Sequence, residues 1–234
     1  MKILAADTSA NVATVCVTEG GKLLAERVVD YKKTHSQTLM PMIDGVLADC
    51  GTDISEIGLF AVANGPGSFT GLRIGVSTLK GMAHASGKPV VEVSTLEALA
   101  HNIFMSDCVI CPIMDARRAQ VYNGVYEWKD GVLTVLAEPR ALAIEECVAD
   151  VKDYGKKVIF LGDGVPVHRE YIKESMGDMA VFAPLSCNSH RASSVASIAF
   201  ERQEKAKSCF AVAPVYLRKP QAERELEERS RQEC

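Results

Sequence analysis

Residues 64–75 read Asn64-Gly65-Pro66-Gly67-Ser68-Phe69-Thr70-Gly71-Leu72-Arg73-Ile74-Gly75, and no other stretch constrains the fold of this chain as tightly. The run follows an apolar segment, Ile57 to Ala63, with the length and composition of a buried strand. It precedes a helix-like stretch that starts at about Gly71. A strand that ends in a Gly/Pro loop and feeds a helix presents backbone N–H groups and the positive end of a helix dipole, which suit an anion or a docked partner. Gly65, Gly67 and Gly71 permit tight turns and close backbone approach, and Pro66 stiffens the path. The plainer reading is a βα turn whose glycines serve geometry alone.

The first half of the chain, residues 1–104, reads strand, strand, strand, helix, strand, helix, strand, helix. Lys2 to Thr8 and Val12 to Thr18 are apolar or alternating. Glu19 to Lys22 is a hairpin turn and Leu23 to Val29 follows. Ser36 to Cys50 and Leu72 to Ser86 carry apolar residues at helical spacing, and Thr95 to Phe104 is a third helix after a strand at Val90 to Val93. The second half, residues 105–219, repeats the order. Strands are expected at Cys108 to Met114, Gln120 to Trp128 and Val132 to Pro139, then helices and strands alternate from Ile144 to Lys205. Residues 220–234 form a charged tail or helix. A doubled βββαβα order is the topology of the actin-like ATPase (Gcp-like) α/β fold, built from two similar halves.

The run Asn64 to Arg73 resembles the signature of the TsaB (YeaZ) family. The opening Ile3 to Ser9 is similar to that family's first strand. So are His35-Ser36-Gln37 and Met114-Asp115-Ala116-Arg117-Arg118, and Pro214 to Lys219 with Gln221 to Glu225 looks like its C-terminal end. The resemblance implies the non-catalytic, dimerization subunit of the complex that builds threonylcarbamoyladenosine next to the tRNA anticodon. It implies a paralogous catalytic partner of TsaD type, a small ATPase partner of TsaE type, and a homodimer when the chain is isolated. Transfer RNA would be met only through the complex. The different-class alternative is an independent enzyme of the same fold, an ATP-dependent small-molecule kinase or a glycoprotease-like enzyme.

The chain has 234 residues and a formal net charge of -4, so it carries no global basic field for nucleic acid. No stretch approaches the roughly 20 apolar residues of a membrane span, and a cytoplasmic location is expected. In the actin-like fold each half offers an acid at its first hairpin to the phosphate site. Asp7 with Thr8, Asp115, and the Gly162/Gly164 loop fit those places as a degenerate nucleotide site. Thr8-Ser9-Ala10 and Ala116-Arg117-Arg118 stand where working sites use glycine, so no catalysis is expected from this chain. No tightly bound cofactor is expected either, and an ATP or ADP would sit at the interface with partners. No two of the five histidines stand at i, i+4 and Cys108-Val109-Ile110-Cys111 is a lone pair, so no metal site is expected.

The two helices of the first half show apolar arcs wider than one buried stripe needs, with methionines that suit adaptable contacts. The interface expected on them comprises His35, Leu39, Met40, Ile43, Leu47, Leu72, Arg73, Val76, Leu79 and Met82. The family resemblance points to the same two helices for pairing.

Overall fold

The computed structural model describes residues 1–31, 33–104 and 106–218. Two five-stranded sheets of identical topology account for the architecture. In the first, β1 (Lys2–Asp7), β2 (Ala13–Glu19), β3 (Lys22–Val29), β4 (Ile57–Gly65) and β5 (Val90–Ser94) lie in the order β3-β2-β1-β4-β5. In the second, β6 (Val109–Asp115), β7 (Gln120–Lys129), β8 (Val132–Ala143), β9 (Val158–Leu161) and β10 (Ala180–Phe182) lie in the order β10-β9-β6-β7-β8. Each sheet has an antiparallel hairpin on one side of its first strand and parallel partners on the other. The doubled order expected from sequence is therefore present strand for strand. The expected charged tail at 220–234 lies outside the described residues.

Strand alternation sets the layers. Leu4, Ala6, Val15, Val17, Phe60 and Val62 point to one face of the first sheet, where α1 (His35–Asp49) and α2 (Phe69–Ser86) cover them. Ile3, Ala5, Cys16, Leu59 and Ala61 point to the other face. That face is covered by α7 (Ala192–Glu201), through Val195, Ala196, Ile198 and Ala199. A boundary at residue 104 thus does not describe the packing of α7, which follows the second sheet in sequence but lies on the first. On the second sheet, α4 (Ile144–Lys152) and α5 (Val165–Met176) cover the face formed by Val109, Cys111 and Ile113. The short α3 (Thr95–Ala100) places Leu96, Leu99 and Ala100 against Ile110 and Met114 on its other face. A four-residue helix, α6 (Leu185–Asn188), was not legible in the sequence.

The interface expected on α1 and α2 needs correction. Leu39, Ile43, Leu72, Val76 and Leu79 are all at most 2% exposed, and all but Leu72 belong to the core cluster beneath the two helices. They are the one stripe per helix that packing on a sheet requires. His35, Leu47 and Met82 are half-buried, and only Met40 and Arg73 of the ten are exposed. The apolar arc is widened by Leu47, Ile74 and Met82, which are half-buried and pack against the edge of the same core.

Candidate functional site

The Gly-rich run joins β4 to α2, and its glycines are there for contact with the chain itself. A Cβ at Gly67 would collide with the carbonyl of Ser9, one at Gly71 with the carbonyl of Thr8, and one at Gly75 with the Thr8 hydroxyl. The β1–β2 turn, Thr8 to Ala10, lies directly on the loop and the first turn of α2. Hydrogen bonds lock the contact. Ser68 N–H donates to the Ser9 carbonyl at 2.6 Å, and the Thr8 hydroxyl donates to the Gly71 carbonyl at 2.7 Å. Ser68 caps α2, its Oγ accepting from Gly71 N–H at 3.3 Å. His35, at the start of α1, closes the same turn through Nε2 and the Ala10 carbonyl at 2.7 Å.

Gly65 has φ of 130° and houses the carbonyl of Val215 where a side chain would be. Val215 N–H donates to the Asn64 carbonyl at 2.7 Å, and Asn64 Nδ2 donates to the Ala213 carbonyl. Phe69 lies between the Tyr216 ring, 4.8 Å away, and the Arg73 guanidinium, 4.4 Å above its ring. The two most specific sequence runs of the chain, at 64–75 and at 214–218, therefore touch. Thr70 is exposed on this surface and Pro66 is buried in it.

The loop forms one wall of a cleft of about 410 Å³ between the two sheets, whose other wall includes Asp115, Ala116, Tyr122 and Asp163. Arg218 spans its rim and donates to the Ala116 carbonyl. Asp115 is at the end of β6 and lines the cleft. Its Oδ1 accepts from Arg117 N–H at 2.9 Å, and its Oδ2 lies 3.8 Å from the largely exposed Arg117 side chain. That pair is a weak surface contact. Arg117, Arg118 and Ala119 all have positive φ, an uncommon succession for residues with side chains, in the turn that carries Asp115 past the cleft.

Asp7 departs from expectation. Its carboxylate is 1% exposed and turned into the protein. Oδ1 accepts from Ser9 N–H at 2.8 Å and from Ser9 Oγ at 2.6 Å, and Oδ2 pairs with Nδ1 of His190 at 3.0 Å. Burial by itself would raise the Asp7 carboxyl, but the charge of His190, its hydrogen bond and the two Ser9 bonds bring it below 3.8. Gly162 and Gly164 likewise serve packing: a Cβ at either would press on the Ile113 carbonyl of β6. Asp163 between them accepts from Asp115 N–H at 3.1 Å, and burial is the main cause that raises its carboxyl above 3.8. His190 and Asp163 are the residues that sequence reasoning missed. His190 lies 183 residues from its partner and has no local pattern around it.

Cys108 precedes β6 and is half-buried, whereas Cys111 is fully buried with its Sγ 3.9 Å from that of Cys147. Among the described residues no group of three His, Cys, Asp or Glu side chains is placed to hold a metal ion. Nor is any helix of the described residues long and apolar enough to cross a membrane.

The family model for TsaD, tRNA N6-adenosine threonylcarbamoyltransferase, matches residues 22–226. The tRNA threonylcarbamoyladenosine biosynthesis protein TsaB of Bacillus subtilis is 34% identical over 223 residues, which covers 95% of this chain and 96% of that protein. A Pseudomonas aeruginosa protein, described as similar to the peptidase YeaZ, superposes with a TM-score of 0.77 at 27% identity, covering 93% of this chain and 99% of that one. Component A of the Acidaminococcus fermentans (R)-2-hydroxyglutaryl-CoA dehydratase superposes with a TM-score of 0.52 at 12% identity, over 88% of this chain and all of that one. At that identity the likeness concerns the fold, which is that of the actin-like ATPases.

Proposed function

The chain belongs to the TsaB family, and from that premise we propose that it is the non-catalytic subunit that pairs with and stabilises a catalytic paralogue of TsaD type. It acts in the biosynthesis of tRNA threonylcarbamoyladenosine. The observation that carries the pseudo-enzyme reading is the packing of the Gly-rich β4–α2 loop against the β1–β2 turn. Ser68 N–H is engaged by Ser9, and the space beside Gly67 and Gly71 is taken by the backbone of Thr8 and Ser9. A loop whose Ser68 and Gly71 amides are already bonded and whose Gly67 and Gly71 faces are covered by backbone is poorly suited to cradle a phosphate. Chemistry then belongs to the partner. A nucleotide of the complex sits where subunits meet, and the TsaE-type ATPase docks on the assembled pair. The net charge of -4 is consistent with tRNA being held mainly by the partner. The cytoplasm is where such a complex meets its tRNA.

The pairing surface is the solvent side of α1 and α2. Met40, Asp44, Arg73 and Ser77 are exposed there, flanked by half-buried Leu47, Ile74 and Met82. Without the paralogue the same surface closes a homodimer. The kinase or glycoprotease alternative is not favoured, since the Bacillus subtilis relative that matches 95% of the chain is a tRNA threonylcarbamoyladenosine biosynthesis protein.

Purified alone, the protein is expected to show neither ATP hydrolysis nor tRNA threonylcarbamoylation above background. Adding the TsaD-type and TsaE-type subunits restores modification, and leaving this chain out abolishes it. Steady turnover by the isolated chain that disappears in Asp115→Ala would overturn the pseudo-enzyme reading.

A further inference from the structure

The two halves of the chain meet at the base of the cleft and again at its mouth. At the base, Ala10 and Met114 line the cleft and share one apolar cluster with Leu96, Ile110 and Tyr126. The mouth is built differently. Ser68 and Phe69 border it on one side, Asp115 and Ala116 on the other, and Tyr216 to Arg218 run along its rim.

The segment that reaches this rim is fastened to the first half along its course. Lys207, ahead of it, exchanges both backbone hydrogen bonds with Val90 of β5, at 2.8 and 2.9 Å. Lys80 Nζ of α2 donates to the Val212 carbonyl at 2.6 Å, and Ala213 N–H donates to Glu92 Oε1 at 2.8 Å. Val215 N–H is bonded to Asn64, the Val215 carbonyl occupies the side-chain space of Gly65, and the Tyr216 ring lies on Phe69. Arg218 then crosses to the second half, where its Nη1 donates to the Ala116 carbonyl.

The point that Arg218 grips is itself firmly seated. Ala116 is buried, and its N–H donates to the Gln120 carbonyl at 2.9 Å. Ile144 N–H, at the start of α4, donates to the Ala119 carbonyl of the same turn at 3.0 Å. A pull on Ala116 is therefore a pull on the second sheet and its helix. The two ends of the segment differ in strength. Freeing it from the first half breaks backbone pairing, side-chain bonds and a ring contact, whereas freeing it from the second half releases the reach of one guanidinium.

We infer that residues 213–218 are a strap that sets the width of the cleft. It stays on the first half, and the grip of Arg218 on Ala116 holds the mouth shut. When that grip is lost, the halves part about the apolar cluster at the base, as in hinge closure of two-domain proteins. An occupant of the cleft then acts against this latch. The inference stands on the contacts of this chain and does not depend on its role in tRNA modification.

Residual dipolar couplings of the full chain, weakly aligned, test it. Backbone amides of β1–β5 and of β6–β10 in the wild type are expected to fit one alignment tensor. In Arg218→Ala each sheet is expected to fit by itself, with both halves folded, but the two sheets to need separate tensors. Hydrogen exchange supplies the second reading. The Val215 amide is expected to exchange at the wild-type rate in Arg218→Ala, because the strap remains on the first half. One shared tensor in the variant, or two tensors already in the wild type, would overturn the inference. So would a Val215 amide that exchanges about tenfold faster, which would mean that the strap leaves the first half instead. Should Arg218→Ala fail to fold, Arg218→Gln, too short to span the rim, is read in the same way and carries the same expectations.

Discussion

Gly71→Ala is expected to destabilise the protein by on the order of 3 kcal/mol, lowering Tm by roughly 10 °C, although alanine is the better helix former. Helix propensity alone would favour alanine by about 1 kcal/mol. The added methyl, however, would lie inside contact distance of the Thr8 carbonyl, with the His35 ring 3.3 Å away on another side. Neither neighbour can yield cheaply. Thr8 is the residue after β1, its hydroxyl is bonded to Gly71, and the next residue is held by Ser68 and by Asp7. Gly81 on the same helix is the control. It is exposed and a Cβ there meets nothing within 4 Å, so Gly81→Ala is expected to be neutral or to stabilise by up to about 1 kcal/mol. Denaturant unfolding of the two variants reads the sign directly. A Gly71→Ala protein as stable as wild type would show that the β1–β2 turn is not clamped by the loop.

The periodicities that specify sheets and helices are local, and they were legible. Alternation in Lys2–Asp7 and helical spacing in His35–Asp49 each follow from a handful of neighbouring residues. Two glycines of the run at 64–75 announced close approach, but the sequence could not say what approaches. The answer, Thr8 and Ser9, lies some sixty residues away across the sheet. The same limit hid the Asp7–His190 pair and the return of α7 to the first sheet, because non-local partners leave no mark in local pattern. It also misled the reading of α1 and α2. A sequence shows how wide an apolar arc is, and cannot show how much of its edge the core takes in, as it does with Leu47, Ile74 and Met82. Tyr216 and Arg218 show the converse case. The C-terminal run looked like a signature, and its contacts with Phe69 and Ala116 give that signature a structural reason.

A pair of aspartate substitutions separates the surface of α1–α2 from its core, and their expected outcomes are opposite. Met40 is 44% exposed on the solvent side of α1, whereas Leu79 is fully buried beneath α2 among Phe60, Val62 and Val76. Met40→Asp places its charge in water while the chain is alone, so folding stability is expected to change by no more than about 0.5 kcal/mol. On association the same charge becomes buried without a partner, beside Asp44 one turn further along the helix. The expected loss is on the order of 3 kcal/mol, about a hundredfold in Kd, for the paralogue and for self-association alike. Leu79→Asp instead carries a carboxylate into the apolar core formed with Phe60, Val62 and Val76. It is expected to cost at least about 4 kcal/mol of folding stability and to leave little folded protein. Sedimentation with and without the TsaD-type subunit, read beside circular dichroism, distinguishes these results. Wild-type association in a folded Met40→Asp protein would move the pairing surface off these helices. A folded Leu79→Asp protein would contradict the packing of α2 on the first sheet.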